Sequence, residues 1–374
     1  MGTVLLILGS LIALGVLGLL LFIRYGLEPG GYRTREDIAR FDRLDYFQKR
    51  KFQNELPTPL NIPFRNYFSL AAEYFKGGKN RRPKERLPVV PLKFEGRKLE
   101  QTQLTWFGHS AILLEIDGKT ILIDPMLSER PSPVPFTAKP RFCPDLPAKI
   151  CELPHIDLIL LSHDHYDHLD YKTIRELHER TDRFIMPHGV GIHLRRWGVD
   201  AQKIEEYGWW DEVKMGSLQF TCVPARHFSG RGFLDRFTTL WCGWTIQGAT
   251  DNIYFSGDSG YGPHFQQIGE RLGPFDFAML ECGQYHEDWK NIHMLPEESA
   301  RAGRDVGARC AMPIHWGAFE LALHDWNEPV KRMRKAAREN DLPLVIPRIG
   351  ETIDLNNPTV EDMEWWEEAR FARI

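Results

Sequence analysis

Three imidazoles and two carboxylates fall within six consecutive positions, His163, Asp164, His165, Tyr166, Asp167 and His168. Neutral imidazoles and carboxylates are good ligands for a borderline divalent ion such as zinc. The residues just before them, Leu158-Ile-Leu-Leu-Ser162, read as a buried strand that ends abruptly in a polar loop. His163 and His165 are two apart, so where strand gives way to loop they can lie on one side and pinch one ion. Asp167 and His168 follow where a turn can swing them toward a second ion. A solvated surface loop has no reason to gather so many potential ligands behind an apolar strand.

Three further candidates lie downstream, each at the end of a short apolar run. They are His227 after Val223-Pro-Ala-Arg, Asp258 after Asn252-Ile-Tyr-Phe-Ser-Gly, and His315 after Ala311-Met-Pro-Ile. The His-x-His-x-Asp-His spacing, with these three in this order, resembles the signature of the metallo-β-lactamase superfamily. That resemblance implies an α/β fold, the αββα sandwich. It also implies that His163, His165 and His227 hold one metal, that Asp167, His168 and His315 hold the other, and that Asp258 bridges them. All seven positions are filled. The cofactors expected are therefore two divalent ions, with zinc as the default.

Flanking stretches resemble one branch in particular, the N-acyl-phosphatidylethanolamine-hydrolysing phospholipase D. They include Trp106-Phe-Gly-His109-Ser, Ser128-Glu-Arg-Pro-Ser-Pro133, Asp164-His-Tyr-Asp-His-Leu-Asp-Tyr171, Ile292-His293-Met-Leu-Pro-Glu-Glu298 and Ile314-His-Trp-Gly. The likeness spans roughly residues 100–350. It implies hydrolysis of the distal phosphodiester of an N-acylated phosphatidylethanolamine, giving phosphatidic acid and an N-acylethanolamine. Two ions roughly 3.5–4 Å apart lower the pKa of a shared water from about 15.7 to around 7, so that it can attack phosphorus at neutral pH. Asp167 and His293 are the residues assigned to the chemical step, His293 because the family places a histidine there against the substrate phosphate. Asp124 is expected to support ligands from below rather than to bind metal. His109 reads as a core histidine satisfied by hydrogen bonds, with a catalytic role as the alternative, and His188 and His193 are read as structural.

The other signals concern organisation. A chain of 374 residues, 43% hydrophobic and 26% charged, is globular and long enough for a large core. A net charge of −4 gives no general case for nucleic-acid binding. Six scattered cysteines with no Cys-x-x-Cys pair offer neither a zinc ribbon nor a disulfide framework. Thr3 to Ile23 carries no charge and predicts a membrane-anchoring transmembrane helix within residues 1–30. Arg24, Arg33 and Arg35 on its C-terminal side would then place the catalytic domain in the cytoplasm. Residues 31–100 read as a linker, with Ile38, Phe41, Leu44 and Phe47 at helical spacing. Within it, the basic stretch Lys76 to Arg86 behind Tyr74-Phe75 suits either anionic headgroups or a solvated loop. The catalytic domain is expected over 101–355 and a tail over 356–374, either a terminal helix or a frayed end. The proline-rich segment 125–154 could wall the site.

The expected partners are a membrane phospholipid substrate and the bilayer, with no nucleic acid, and a homodimer is compatible with the sequence. A lactonase on the same scaffold is the main alternative, but a soluble lactone gives no reason for an anchor. A non-catalytic membrane scaffold is a second alternative, opposed by the intact ligand set and His293.

Overall fold

A computed structural model describes residues 2–26, 28–59, 70, 72–74, 76–95, 101–134, 137–232, 235–359 and 364–368. Phe75, Pro135 and residues 369–374 lie outside the described residues, as do 60–69 and 96–100.

Helix α1 (Gly2–Tyr25) and the capped helix α2 (Arg35–Phe41) precede a small hairpin, β1 (Phe47–Gln48) and β2 (Lys51–Phe52). The expected transmembrane anchor, and the cytoplasmic placement that depended on it, are not supported. Among the described residues no helix is long and apolar enough to cross a membrane. An uncharged run of letters is a different quantity from sustained apolar helix, of which a bilayer core takes about 20 residues. The helical spacing expected through Phe47 also ends early. Phe47 pairs with Phe52 across the hairpin, and Lys49 and Arg50 make its turn with φ of 52° and 61°.

Two mixed sheets make up the body of the fold. The first is built from β3 (Gln103–Trp106), β4 (Ile112–Ile116), β5 (Lys119–Ile123), β6 (Ile156–Leu160), β7 (Thr181–Pro187) and β8 (Ile204–Tyr207). Helices α3 (Tyr171–Leu177) and α4 (Gly191–Arg196) connect its later strands, and β5 to β8 run parallel. The second sheet comprises β9 (Glu212–Met215), β10 (Leu218–Val223), β11 (Gly243–Gln247), β12 (Asn252–Phe255), β13 (Phe277–Glu281) and β14 (Ala311–Ile314). Its helices are α5 (His264–Leu272) and α6 (Pro296–Asp305). Helix α7 (Glu328–Glu339) packs on α6, and β15 (Thr352–Asp354) returns to the first sheet beside β3.

Period-two alternation explains the layering. Ile112, Leu114 and Ile116 of β4 join one core with Phe220, Trp244 and Ile253 of the second sheet. Leu113 faces the other way, into a core shared with Leu122, Ile159, Phe184 and the helical residues Ile174, Leu177 and Leu194. Strands apolar on both faces therefore carry a sheet on one side and helices on the other, the αββα arrangement.

The C-terminal tail is partly ordered. Helix α8 (Trp365–Glu368) buries Trp365 and Trp366, and Trp365 stacks on Trp316 with ring centroids 5.5 Å apart. The basic stretch is partly turned inward. Buried Arg81 donates to the carbonyls of Leu323 and Glu73, and Arg82 to those of Pro140 and Arg141.

Candidate metal centre

All the candidate ligands leave the C-terminal ends of strands. Strands β5 and β6 are parallel with Ile123 opposite Leu160, so Asp124 and Ser162 emerge side by side. The Asp124 carboxylate accepts from the Ser162 N–H (2.7 Å) and hydroxyl (2.5 Å), and faces His168 Nδ1 at 2.7 Å. This leaves His168 Nε2 for the site; Asp124 also lies close enough to His163 and His168 to share an ion with them. The loop closes where Asp170 caps α3, accepting from the Lys172 and Thr173 N–H groups.

His227 follows β10, and its Nδ1–H donates to the Ile292 carbonyl at 2.8 Å, freeing Nε2. Asp258 follows β12 through Gly257, which has φ of 57° and would place a Cβ 2.4 Å from the Cys242 carbonyl oxygen. Only glycine fits that approach. His315 follows β14 with φ of 66°, and its N–H donates to the His109 carbonyl, whose own N–H donates to the Trp316 carbonyl. His109 (φ 56°) and Asp124 (φ 40°) share this left-handed conformation. Each such residue costs on the order of 1–3 kcal/mol, and the cost persists where surrounding structure imposes it.

The seven residues converge. His165 Nδ1 lies 3.0 Å from His163 Nε2 and 3.2 Å from His227 Nε2. Asp258 Oδ2 lies 3.2 Å from both His168 Nε2 and His315 Nε2, and 3.7 Å from both His163 Nε2 and His227 Nε2. It is the atom between the two groups. Asp167 Oδ2 sits 3.3 Å from His315 Nε2 and 2.9 Å from His109 Nε2. Ligand atoms bound tetrahedrally at about 2.0–2.1 Å lie roughly 3.3–3.4 Å apart, so these spacings suit shared ions.

Electrostatics supports the same fit. Burial pushes the pKa of His163, His165 and His227 down, keeping their imidazoles neutral as ligands must be. Burial opposes charge on His168, yet Asp258, Asp167 and Asp124 raise its pKa well above the usual histidine value. Burial likewise opposes ionisation of Asp167 and Asp258, but His168 and its neighbours hold both carboxyls well below the usual range. The Asp167 and Asp258 carboxylates thus call for positive charge. Asp258 Oδ1 and His168 Nε2 are buried without a hydrogen-bond partner among the described residues, as unfilled ligand atoms would be. Two His/Asp groups, His163, His165, His227 and Asp258, and His109, Asp167, His168 and His315, each lie within the reach of one ion.

His293 is near but apart: its Nδ1 pairs with Glu281 Oε2 at 2.9 Å, and its ring stacks on His315 at 5.1 Å. A cavity of about 270 Å³ opens over the centre, lined by His165, Asp167, Asp258, His293 and His315 and by apolar Phe228, Trp289, Ile292 and Leu321. Arg236 and Gln284 complete it. The proline-rich segment expected to wall the site contributes none of these lining residues. Buried Arg141 instead ties it to the Phe107 and Met126 carbonyls.

Several supports were not anticipated. Asn54 brackets the His227 backbone, donating to its carbonyl (2.8 Å) and accepting its N–H (3.1 Å). Asp164 accepts from the Gly230 N–H and the Thr239 hydroxyl, both at 2.7 Å, and pairs with His193 Nε2 at 3.2 Å. His193 is thus structural, as expected. Arg231 donates to the Asp164 and Leu169 carbonyls, stapling the loop from outside. His109 is more than filler, since it fixes Asp167. Glu281 carried a legible signal, a lone acid ending the apolar run Phe277-Ala-Met-Leu, as Asp258 ends its own.

Two mixed sheets with this ligand set at their strand ends define a metal-dependent hydrolase. The chain belongs to the metallo-β-lactamase superfamily: the sequence model of the beta-lactamase superfamily domain matches residues 119–316. An uncharacterised protein of Mycobacterium tuberculosis is 42% identical over 289 residues, covering 76% of this chain and 77% of that one. The N-acyl-phosphatidylethanolamine-hydrolyzing phospholipase D 1 of Caenorhabditis elegans is 33% identical over 264 residues, covering 66% and 74%. Among solved structures, an isothiocyanate hydrolase from Delia radicum gut bacteria shares the fold, with TM-score 0.53 and 21% identity over 67% of this chain and 98% of that one.

Proposed function

We propose that this hydrolase is a phospholipase D-type phosphodiesterase that converts N-acyl-phosphatidylethanolamine to N-acylethanolamine and phosphatidic acid. The observation that carries the reading is Asp258 Oδ2, poised between two ligand groups beneath a cavity with an apolar rim. The 33% identical nematode phospholipase D supports the substrate class. Two divalent ions, with zinc the default, would be held by His163, His165 and His227 and by Asp167, His168 and His315, with Asp258 shared. When bound they would acidify water and neutralise charge on phosphoryl oxygens.

The chain's own side chains supply the rest. Phe228, Trp289, Ile292 and Leu321 would shelter the lipid's apolar parts and exclude bulk water. Arg236, the cation among the described lining residues, would draw in the anionic phosphodiester. His293, with Nδ1 committed to Glu281, presents Nε2 to a phosphoryl oxygen. Asp167, oriented by His109, accepts the proton of the attacking water. The new O–P bond forms as the P–O bond to the ethanolamide oxygen breaks, and the proton held by Asp167 passes to that leaving oxygen to give the N-acylethanolamine. Substrate would be met at a bilayer surface.

The test feeds N-acyl-phosphatidylethanolamine, plain phosphatidylethanolamine and a simple lactone to the full chain, with and without chelator. N-acylethanolamine release that chelator abolishes, and that His293→Ala lowers without loss of metal, is the expected result. Lactone hydrolysis alone would refute the lipid assignment.

A further inference from the structure

We propose that Glu281 is a positioning residue that fixes the ring of His293, a role that rests on the reading of His293 as the residue facing the substrate. Glu281 ends β13 and is fully buried. Its two carboxyl oxygens have separate tasks. Oε1 accepts the Met294 N–H at 2.7 Å, and Oε2 meets His293 Nδ1 at 2.9 Å. The same residue's carbonyl accepts the Ser299 hydroxyl at 2.6 Å, anchoring the start of α6. One strand end thus grips the backbone after His293 and the ring of His293 together.

An imidazole whose Nδ1 is held by one fixed partner keeps a single tautomer and a single orientation. Here that leaves Nε2 as the nitrogen turned to the cavity that His293 lines. A phosphoryl oxygen accepts, so the productive tautomer carries its proton on Nε2 while Nδ1 accepts from the hydroxyl of a protonated Glu281 Oε2. A free imidazole in the same loop would exchange tautomers and rotate, and only part of the population would present that Nε2–H. Glu281 also lies 3.5 Å from His315 Nδ1, beyond good hydrogen-bond distance, so its main partner is His293. Glu281 stands close enough to Asp258, His293 and His315 to act as a ligand itself, and the experiment separates that role from positioning.

The test uses the metal-loaded full chain labelled with 15N-histidine. Glu281→Ala should leave two ions bound while the His293 ring changes from one tautomer to a mixture in long-range 1H–15N spectra. Glu281→Gln, which can still bond Nδ1, should restore one tautomer and part of the turnover. Glu281→Met removes the bond while filling the space, and serves the same purpose as alanine if that variant does not fold. With N-acyl-phosphatidylethanolamine as substrate, Glu281→Ala should lower kcat about 10–100-fold with little change in KM. In a His293→Ala background the same change should cost nothing further. Loss of metal, an unchanged ring spectrum, or an undiminished effect in that background would each overturn the proposal. If the wild type fails to cleave this lipid, the function reading falls, and the ring spectra still decide the role of Glu281.

Discussion

Asp124→Asn tests how the scaffold prepares the metal centre, because Asp124 binds no substrate and sits one shell behind His168. Its carboxylate takes two hydrogen bonds from Ser162 and faces His168 Nδ1 at 2.7 Å, all at a fully buried position. Asparagine keeps the volume but must turn an NH₂ toward one of these donors. Leaving one buried donor unsatisfied costs about 1–3 kcal/mol of stability. Replacing the partner of a ligating imidazole typically costs about 10–100-fold in metal affinity. At about 1.4 kcal/mol per decade, that is roughly 1.4–2.8 kcal/mol of binding free energy. Competition between the protein and a chromogenic chelator for added zinc measures the affinity, and urea unfolding of the apo protein measures the stability. Weakening of the ion that involves His168, with the other ion still bound near wild-type affinity, is the expected outcome. If stability falls and both affinities stay within about twofold of wild type, Asp124 serves the fold alone and the orienting argument fails.

Asp258→Asn and His165→Ala should each abolish turnover by releasing metal, as followed by elemental analysis of the purified proteins; full activity in either variant would refute the ligand assignment. Away from the centre, His264 is buried against the Ser259 hydroxyl at 3.0 Å, and burial, then Arg226, push its pKa down to about 3. The folded protein therefore keeps it neutral, while the unfolded chain takes up a proton below about 6.5. Its stabilising contribution is whole above that value and is lost as pH falls toward about 3. Apo-protein unfolding measured from pH 4 to 7 should steepen less for His264→Gln than for wild type, and parallel curves would show that His264 does not drive the acid loss.

The metal-binding chemistry was readable because it is local in kind. Each ligand ends an apolar run, and residue type, spacing and order carry the signal without any knowledge of contacts. Part of what failed to read depends on a partner far along the chain. Asn54 meets His227 across 173 positions, and Arg81 meets the Leu323 carbonyl across 242. A basic stretch therefore looked like a charged surface although two of its arginines serve internal carbonyls. The apolar N-terminus misled in the other direction. Counting uncharged residues implied a bilayer span that the described helix does not provide.

Taken alone, the sequence determined which residues could ligate and that they follow apolar, strand-like runs, while the αββα layering was implied by the family resemblance. Tertiary structure alone decided how those residues meet. Asp258 Oδ2 comes to lie between the two groups because the sheet delivers it 3.2 Å from both His168 Nε2 and His315 Nε2. His168 offers Nε2 because Asp124 occupies Nδ1, and His293 lines the cavity with its Nδ1 2.9 Å from Glu281 Oε2. Such choices depend on distances of a few tenths of an ångström between groups distant in sequence. Those distances are set by sheet register and core packing, neither of which any local stretch of chain encodes.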